Sequence, residues 1–204
     1  MMALMQAGAV DYVPKSVLSP ELVARSVRSA VRFQQVQREK EAALKALSRL
    51  NAFLCESQAM EAGSDEQGSA EYFVVLTLAV VESATGRTQI AVAGSEPPIL
   101  LHSDGTFEEV AVNGMPLGVA AKAKYQGKDL CLEANDMLLV ATDGITEARR
   151  GREFLGNEGM ARLAADALPL GSLAEIGQAV LAGAKSFAND RLHDDVCLLL
   201  ARRK

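Results

Sequence analysis

From Tyr72 onward the apolar positions fall into short runs separated by turn-forming residues. The runs are "YFVVLTLAVV" (72–81), "TQIAVA" (88–93), "PILLH" (98–102) and "TFEEVAV" (106–112), with turns at Thr85-Gly86 and Asp104-Gly105. "KDLCLE" (128–133) and "DMLLVAT" (136–142) follow, joined by a short "AND" turn. Strands joined by tight turns predict antiparallel pairing. The period then lengthens. "NEGMARLAADAL" (157–168) is amphipathic at helical spacing, and "SLAEIGQAVLAGAKSF" (172–187) places Leu173, Ile176, Val180, Ala184 and Phe187 on one face. Ser172 and Glu175 make a capping-box pattern at its start. "DVCLLLA" (195–201) predicts a last strand. Strands, then helices, then one strand predict an α+β fold, an antiparallel sheet layered with helices.

Upstream the texture differs. Residues 1 to 35 read as helix, short strand and helix: "MMALMQAGA" with Gly8 as a C-cap, "VDYV", and a helix opened by Ser19-Pro20-Glu21. Leu22, Val23, Val27, Ala30 and Val31 give that helix an apolar stripe. A charged, alanine-rich helix continues through residues 36–58, with Leu44, Leu47, Leu50 and Leu54 three or four residues apart. Those leucines are either one face of an ordinary amphipathic helix or the seam of a coiled-coil homodimer. Residues 59–71 are acidic and rich in Gly and Ser, a loop, and 72–204 form the main domain.

Composition narrows the partners. Net charge is −5 with no long basic run, which argues against a nucleic-acid footprint. The longest apolar stretch, Phe73 to Val81, is too short to span a bilayer as a helix, and the N-terminus reads poorly as a signal peptide. Cys55, Cys131 and Cys197 are far apart and form no C-x-x-C pair, so a cysteine zinc site is not expected. Cys131 and Cys197 sit in apolar runs and are expected in the core. A reducing, cytoplasmic residence fits this usage.

Two acidic features stand at strand ends. Asp143 follows Met137-Leu-Leu-Val-Ala-Thr142 and precedes Gly144, while Asp194-Asp195 enters the last strand. Asp143 can be a helix N-cap, and the aspartate pair a solvated turn. If the two strands are antiparallel neighbours, however, the exit of one and the entrance of the other share an edge. Converging carboxylates repel unless a proton or cation lies between them, and hard oxygen ligands suit Mg(II) or Mn(II). Gly144 would allow close backbone approach.

Four segments in order, "FVVLTLAVVESATGRTQIAVAGSEPPILLHSDG", "NGMPLGVA", "DMLLVATDGITEARRGREFLGNEGM" and "HDDVCLLLARR", resemble the second half of the SpoIIE-type branch of PPM serine/threonine phosphatases. With the helix end "ALSRLNAFLCES" the resemblance covers about residues 44 to 204. "ALMQAGAVDYVPKSVLSPELVARSVRSAVR" resembles the C-terminal end of a response-regulator receiver domain, with Lys15 at the phosphoryl-contacting lysine and Ser16 where a proline is usual. The resemblance implies a partial PPM-type sandwich behind a receiver remnant (1–35) and a linker helix (36–58).

The chemistry so implied is hydrolysis of a phosphoserine or phosphothreonine by water held between two Mn(II) or Mg(II) ions, with no phosphoenzyme. Asp143 and Asp194 carry over as metal ligands and catalytic residues, Gly144 sits beside the metal, and Asp195 becomes a supporting or turn residue. The implied partner is a phosphorylated regulatory protein of the anti-sigma-factor-antagonist type. The family's earlier "D-V-S-G-K-G"-like motif, whose aspartate bridges both ions, has no counterpart here, and the receiver's phosphoacceptor would lie upstream of Met1. Two carboxylates hold one hard cation weakly, so activity should be weakened or lost. The alternatives are a non-catalytic partner-binding relative and a decayed fragment. A missing half-domain should also expose apolar surface and sheet edges. Arg149, Arg150 and Arg152 could orient a substrate phosphate or simply line a solvated loop, and His193 could approach the site or lie on the surface.

Overall fold

The computed structural model describes residues 20–62 and 72–204. The receiver-like segment up to Ser19 and the 63–71 part of the acidic loop lie outside the described residues. Helix α1 (Pro20–Ala62) runs unbroken through 43 residues. One face of it carries Lys40, Leu44, Leu47, Asn51, Leu54 and Gln58, alternately four and three residues apart. Leu47 is buried, and Leu44 and Leu54 pack beside it against Ala91, Ala93, Leu117 and Tyr125. Leu50 is 42% exposed and lies off this face. The leucine stripe therefore packs, in this chain, against its own domain.

The strands form two antiparallel sheets and a hairpin. β1 (Leu76–Val81), β2 (Arg87–Ala93) and β5 (Lys128–Cys131) make one sheet in the order β1-β2-β5. β3 (Ile99–Leu101), β4 (Phe107–Glu109), β6 (Met137–Ala141) and β9 (Leu198–Arg202) make the other, in the order β4-β3-β6-β9. β7 (Arg149–Arg150) and β8 (Glu153–Phe154) pair as a hairpin. Helices α2 (Asp143–Thr146), α3 (Gly156–Asp166) and α4 (Leu173–Phe187) lie between β6 and β9 in sequence.

Period-two alternation sorts these strands into layers. Ile90 and Val92 of β2 face Leu100 of β3 and Leu138 of β6, filling the space between the sheets. Ala91 and Ala93 point the other way, beneath α1. Ile99, Leu101, Met137 and Leu139 turn to the opposite side and pack on Met160, Ala164, Ile176, Val180 and Ala184 of α3 and α4. The result is a helix–sheet–sheet–helix sandwich. β3 and β6 are covered on both faces, which accounts for their continuous apolar runs.

Two expectations change. The "AND" turn joins strands of different sheets: β5 pairs with β2, whereas β6 pairs with β3 and β9. Buried Asp136 anchors this crossing, accepting from the N–H groups of Ser103 and Glu133 at 3.1 and 3.0 Å and lying 3.0 Å from His102 Nδ1. Cys131 and Cys197 are exposed, not core. Leu130 and Leu132 point between the sheets, and Val196, Leu198 and Leu200 pack on the helix side, so alternation turns both intervening thiols outward. Some apolar side chains remain outward on the edge strands of the two sheets: Phe73 and Val75 beside β1, Val81 at its end, and Leu199 on β9 are all 47% or more exposed.

Candidate functional site

β6 and β9 are antiparallel neighbours, with Ala141 opposite Leu198, so the exit of one strand meets the entrance of the other. Thr142 extends the ladder by one more bond, its N–H donating to the Cys197 carbonyl at 3.0 Å. Its hydroxyl donates to the Asp195 carbonyl at 2.9 Å and accepts from the Cys197 N–H at 2.9 Å. Thr142, not Asp143, therefore occupies the N-cap position of α2, and its hydroxyl is spent on the neighbouring chain segment. Asp143 is the first helical residue, its carboxylate exposed beside the positive end of a short helix.

Gly144 is buried because the Asp194-Asp195 backbone lies on it. A Cβ at this position would stand 2.5 Å from the Asp195 carbonyl oxygen and 3.1 Å from that of Asp194, closer than a side chain tolerates. The glycine is needed here for contact distance, since its φ is not left-handed. The Asp194 carboxylate accepts the Asp195 N–H at 2.7 Å.

An open cleft of about 230 Å³ lies over this junction, lined by Gly144, Glu147, Arg149, Phe154, His193 and Asp194. The structure thus brings Gly144 and Asp194 to one cleft, whereas Asp143, the residue before Gly144, is exposed and is not among the lining residues. Asp195 contributes its backbone to the junction. Among the described residues no three His, Cys, Asp or Glu side chains group together as a metal cage. Glu147 and Phe154 are the lining residues that sequence reasoning missed. Glu147 lies one helical turn beyond Asp143, a spacing that was open to reading, whereas Phe154 arrives through the β7–β8 hairpin fold-back, which left no such signal.

The hairpin sorts the three arginines. Arg150 lies 3.3 Å from Glu153 and 4.9 Å from the ring centre of Phe187 at the end of α4, a cation–π contact that pins the hairpin to that helix. Arg149, on the other face of the strand, lines the cleft. Arg152 sits exposed at the turn.

Residues 18–204 match the family described as Stage II sporulation protein E (SpoIIE). The chain belongs to the SpoIIE family. Among curated relatives, the phosphoserine phosphatase RsbU of Bacillus subtilis is 27% identical over 141 residues, which are 69% of this chain and 42% of RsbU. Protein IcfG of Synechocystis is 29% identical over 94 residues, 46% of this chain and 15% of IcfG. The chain thus spans less than half the length of these relatives. The Mn-presoaked phosphatase domain of the cell fate determinant SpoIIE from Bacillus subtilis superposes with a TM-score of 0.55 at 16% identity, covering 76% of this chain and 72% of that one. A bacterial serine phosphatase gives 0.59 at 15% identity over 80% of this chain and 69% of its own. At these identities the likeness is one of fold, and it is the layered helix and antiparallel-sheet fold described above. The SpoIIE match includes all of α1, so the helix that packs on the sheet is counted within the family's domain.

Proposed function

We propose that this SpoIIE-family protein is a metal-dependent serine/threonine phosphatase of attenuated turnover, acting on a phosphoserine or phosphothreonine of a bacterial regulatory protein of the anti-sigma-factor-antagonist type. One observation carries the reading: the β6 exit and the β9 entrance are knitted together so closely that only a glycine fits at position 144 between Asp143 and the Asp194-Asp195 backbone. The phosphoserine phosphatase relative supports the substrate class.

The donors present are the exposed carboxylates of Asp143 and Asp194, that of Glu147 on the cleft wall, and nearby backbone carbonyls, all hard oxygens. This set fits one Mn(II) or Mg(II) ion that keeps several waters, and it is too small for a bridged pair. Asp143 and Asp194 would hold the ion, with Gly144 beside it. When bound, such an ion supplies charge neutralisation at the phosphoryl oxygens and an activated attacking water. The chain's own residues fix the two acids. The Thr142 hydroxyl clamps the entering segment, Gly144 lets that segment approach, and the Asp195 N–H orients the Asp194 carboxylate. Three free cysteines suit work in a reducing cytoplasm.

A second reading, a phosphatase-like module that binds its partner without hydrolysis, is favoured by the finding that no three ligating side chains group together among the described residues. Phosphate release from a phosphoserine peptide with added Mn(II) separates the two. The phosphatase reading predicts slow, Mn-dependent release that disappears in Asp143→Asn. No release from a folded, monodisperse sample rejects it in favour of the binding module.

A further inference from the structure

A second open cleft, about 460 Å³, adjoins the first and shares Arg149 and His193 with it. Its other walls are Gly151 of the hairpin turn and Ala188, Asn189 and Arg191 from the connection that leaves α4. Among the described residues no acidic side chain lines it, whereas the neighbouring cleft contains Glu147 and Asp194. Among the described residues, neither the Arg149 nor the Arg191 side chain has an ion-pair or hydrogen-bond partner, whereas Arg150 of the same hairpin is engaged by Glu153 and Phe187.

The cleft is also a built feature. The Arg150–Phe187 contact holds one wall to α4, leaving Arg149 on the opposite face of the same two-residue strand. The other wall turns through Asn189 and Asp190, two consecutive non-glycine residues at φ 51° and 62°. That left-handed pair is locked by the Asp190 N–H donating to the Lys185 carbonyl at 2.8 Å and the Arg191 N–H to the Ala188 carbonyl at 3.1 Å. Asn and Asp are the non-glycine residues that enter this region most readily, so the sequence suits the turn. Here it swings Arg191 to the side of Arg149.

We infer that this cleft is an anion subsite that reads an acidic side chain flanking the phosphorylated residue of the protein substrate. Paired guanidinium groups are the donors best suited to a carboxylate, and two unengaged ones facing one cleft give it a charge opposite to that of the partner they select. Because the two clefts share Arg149 and His193 as a common wall, an extended peptide with its phosphoryl group over Asp194 would reach across that wall and lay a neighbouring residue into the basic cleft. The proposal rests on the phosphatase reading only for the occupant of the first cleft.

The test uses the full chain and fluorescently labelled peptides followed by polarisation. One peptide carries phosphoserine with glutamates on both sides, a second replaces those glutamates with glutamine, and a third has the glutamates but serine in place of phosphoserine. Wild-type protein should bind the first about tenfold more tightly than the second, the increment of one charge-assisted contact of about 1.4 kcal/mol. That ratio should collapse towards one in Arg149→Gln and in Arg191→Gln. It should persist in Arg152→Gln, which removes the same charge from the exposed hairpin turn. The unphosphorylated acidic peptide should bind weakly and with the same dependence on Arg149 and Arg191, whether or not the protein hydrolyses anything. That arm keeps the subsite distinct from the phosphatase reading, because it stands even if Mn-dependent turnover is absent. Equal affinity for the first two peptides, an equal effect of Arg152→Gln, or loss of the glutamine-flanked phosphopeptide in parallel with the acidic one would overturn the proposal. The last result would assign the cleft to the phosphoryl group itself.

Discussion

Asn51 is the polar residue on which the docking of α1 turns, and replacing it gives a quantitative check on the fold. Its side chain is fully buried. Nδ2 donates to the Ala120 carbonyl at 2.8 Å, and Oδ1 accepts from the Gly118 N–H at 2.9 Å. One amide thus closes both ends of a loop against the helix, between Leu47 and Leu54 on the same face. Asn51→Ala removes two hydrogen bonds worth about 1 kcal/mol each and leaves two backbone groups without partners. Gly118 and Ala120 are only half-buried, so water can reach them and limits the further penalty. The expected loss is about 2–3 kcal/mol, which for a chain of this size lowers Tm by about 5–10 °C. Urea unfolding followed by circular dichroism, with the midpoint compared at constant m-value, measures it. Phe53→Ala is the internal control: Phe53 is 63% exposed on the same helix and should shift stability by no more than about 0.5 kcal/mol. If Asn51→Ala is as silent as Phe53→Ala, α1 is not held to the sheet in this register.

Three further changes test separate parts of the account. Gly144→Ala would force a Cβ to within 2.5 Å of the Asp195 carbonyl, so the strand junction must open, at a cost of about 1–3 kcal/mol seen in thermal melts. Ser172→Ala removes the hydroxyl that accepts the Glu175 N–H at 3.2 Å and should cost about 1 kcal/mol, read as a lower urea midpoint. Tyr125→Phe deletes a buried hydroxyl that has no hydrogen-bond partner among the described residues, so this variant should melt at or above the wild-type temperature. A clear fall in its Tm would mean that the hydroxyl is engaged.

The parts of the fold legible in the sequence are those set by local period. The strands from Leu76 to Ala141 declare themselves because each turns apolar side chains towards the core, and α4 because Ile176, Val180 and Ala184 repeat on a core-facing stripe with Ser172 at its start. What escapes is long-range. A three-residue turn looks the same whether it closes a hairpin or carries the chain to another sheet, and only the pairing of β5 with β2, about forty residues away, decides which. Leu50 and Asn51 differ by one helical step, and composition favours the leucine, yet the sheet-facing position is Asn51 because the loop at 118–120 supplies its partners. The candidate site was half legible. Acids at one strand's exit and another's entrance were visible, and the β6–β9 register brings those ends together. The cap at Thr142 and the basic cleft were not, since each depends on segments about fifty or forty residues apart meeting at one edge.

The central claim is that Asp143 and Asp194 share one weakly held hard cation. Titrating Mn(II) into the purified chain and following free Mn(II) by electron paramagnetic resonance addresses it without requiring turnover. The account predicts a single weak site per chain, with a Kd of about 10⁻⁴ to 10⁻³ M as for sites with few charged ligands, that is lost in both Asp143→Asn and Asp194→Asn. No Mn(II) uptake, or uptake unchanged by either substitution, would contradict it.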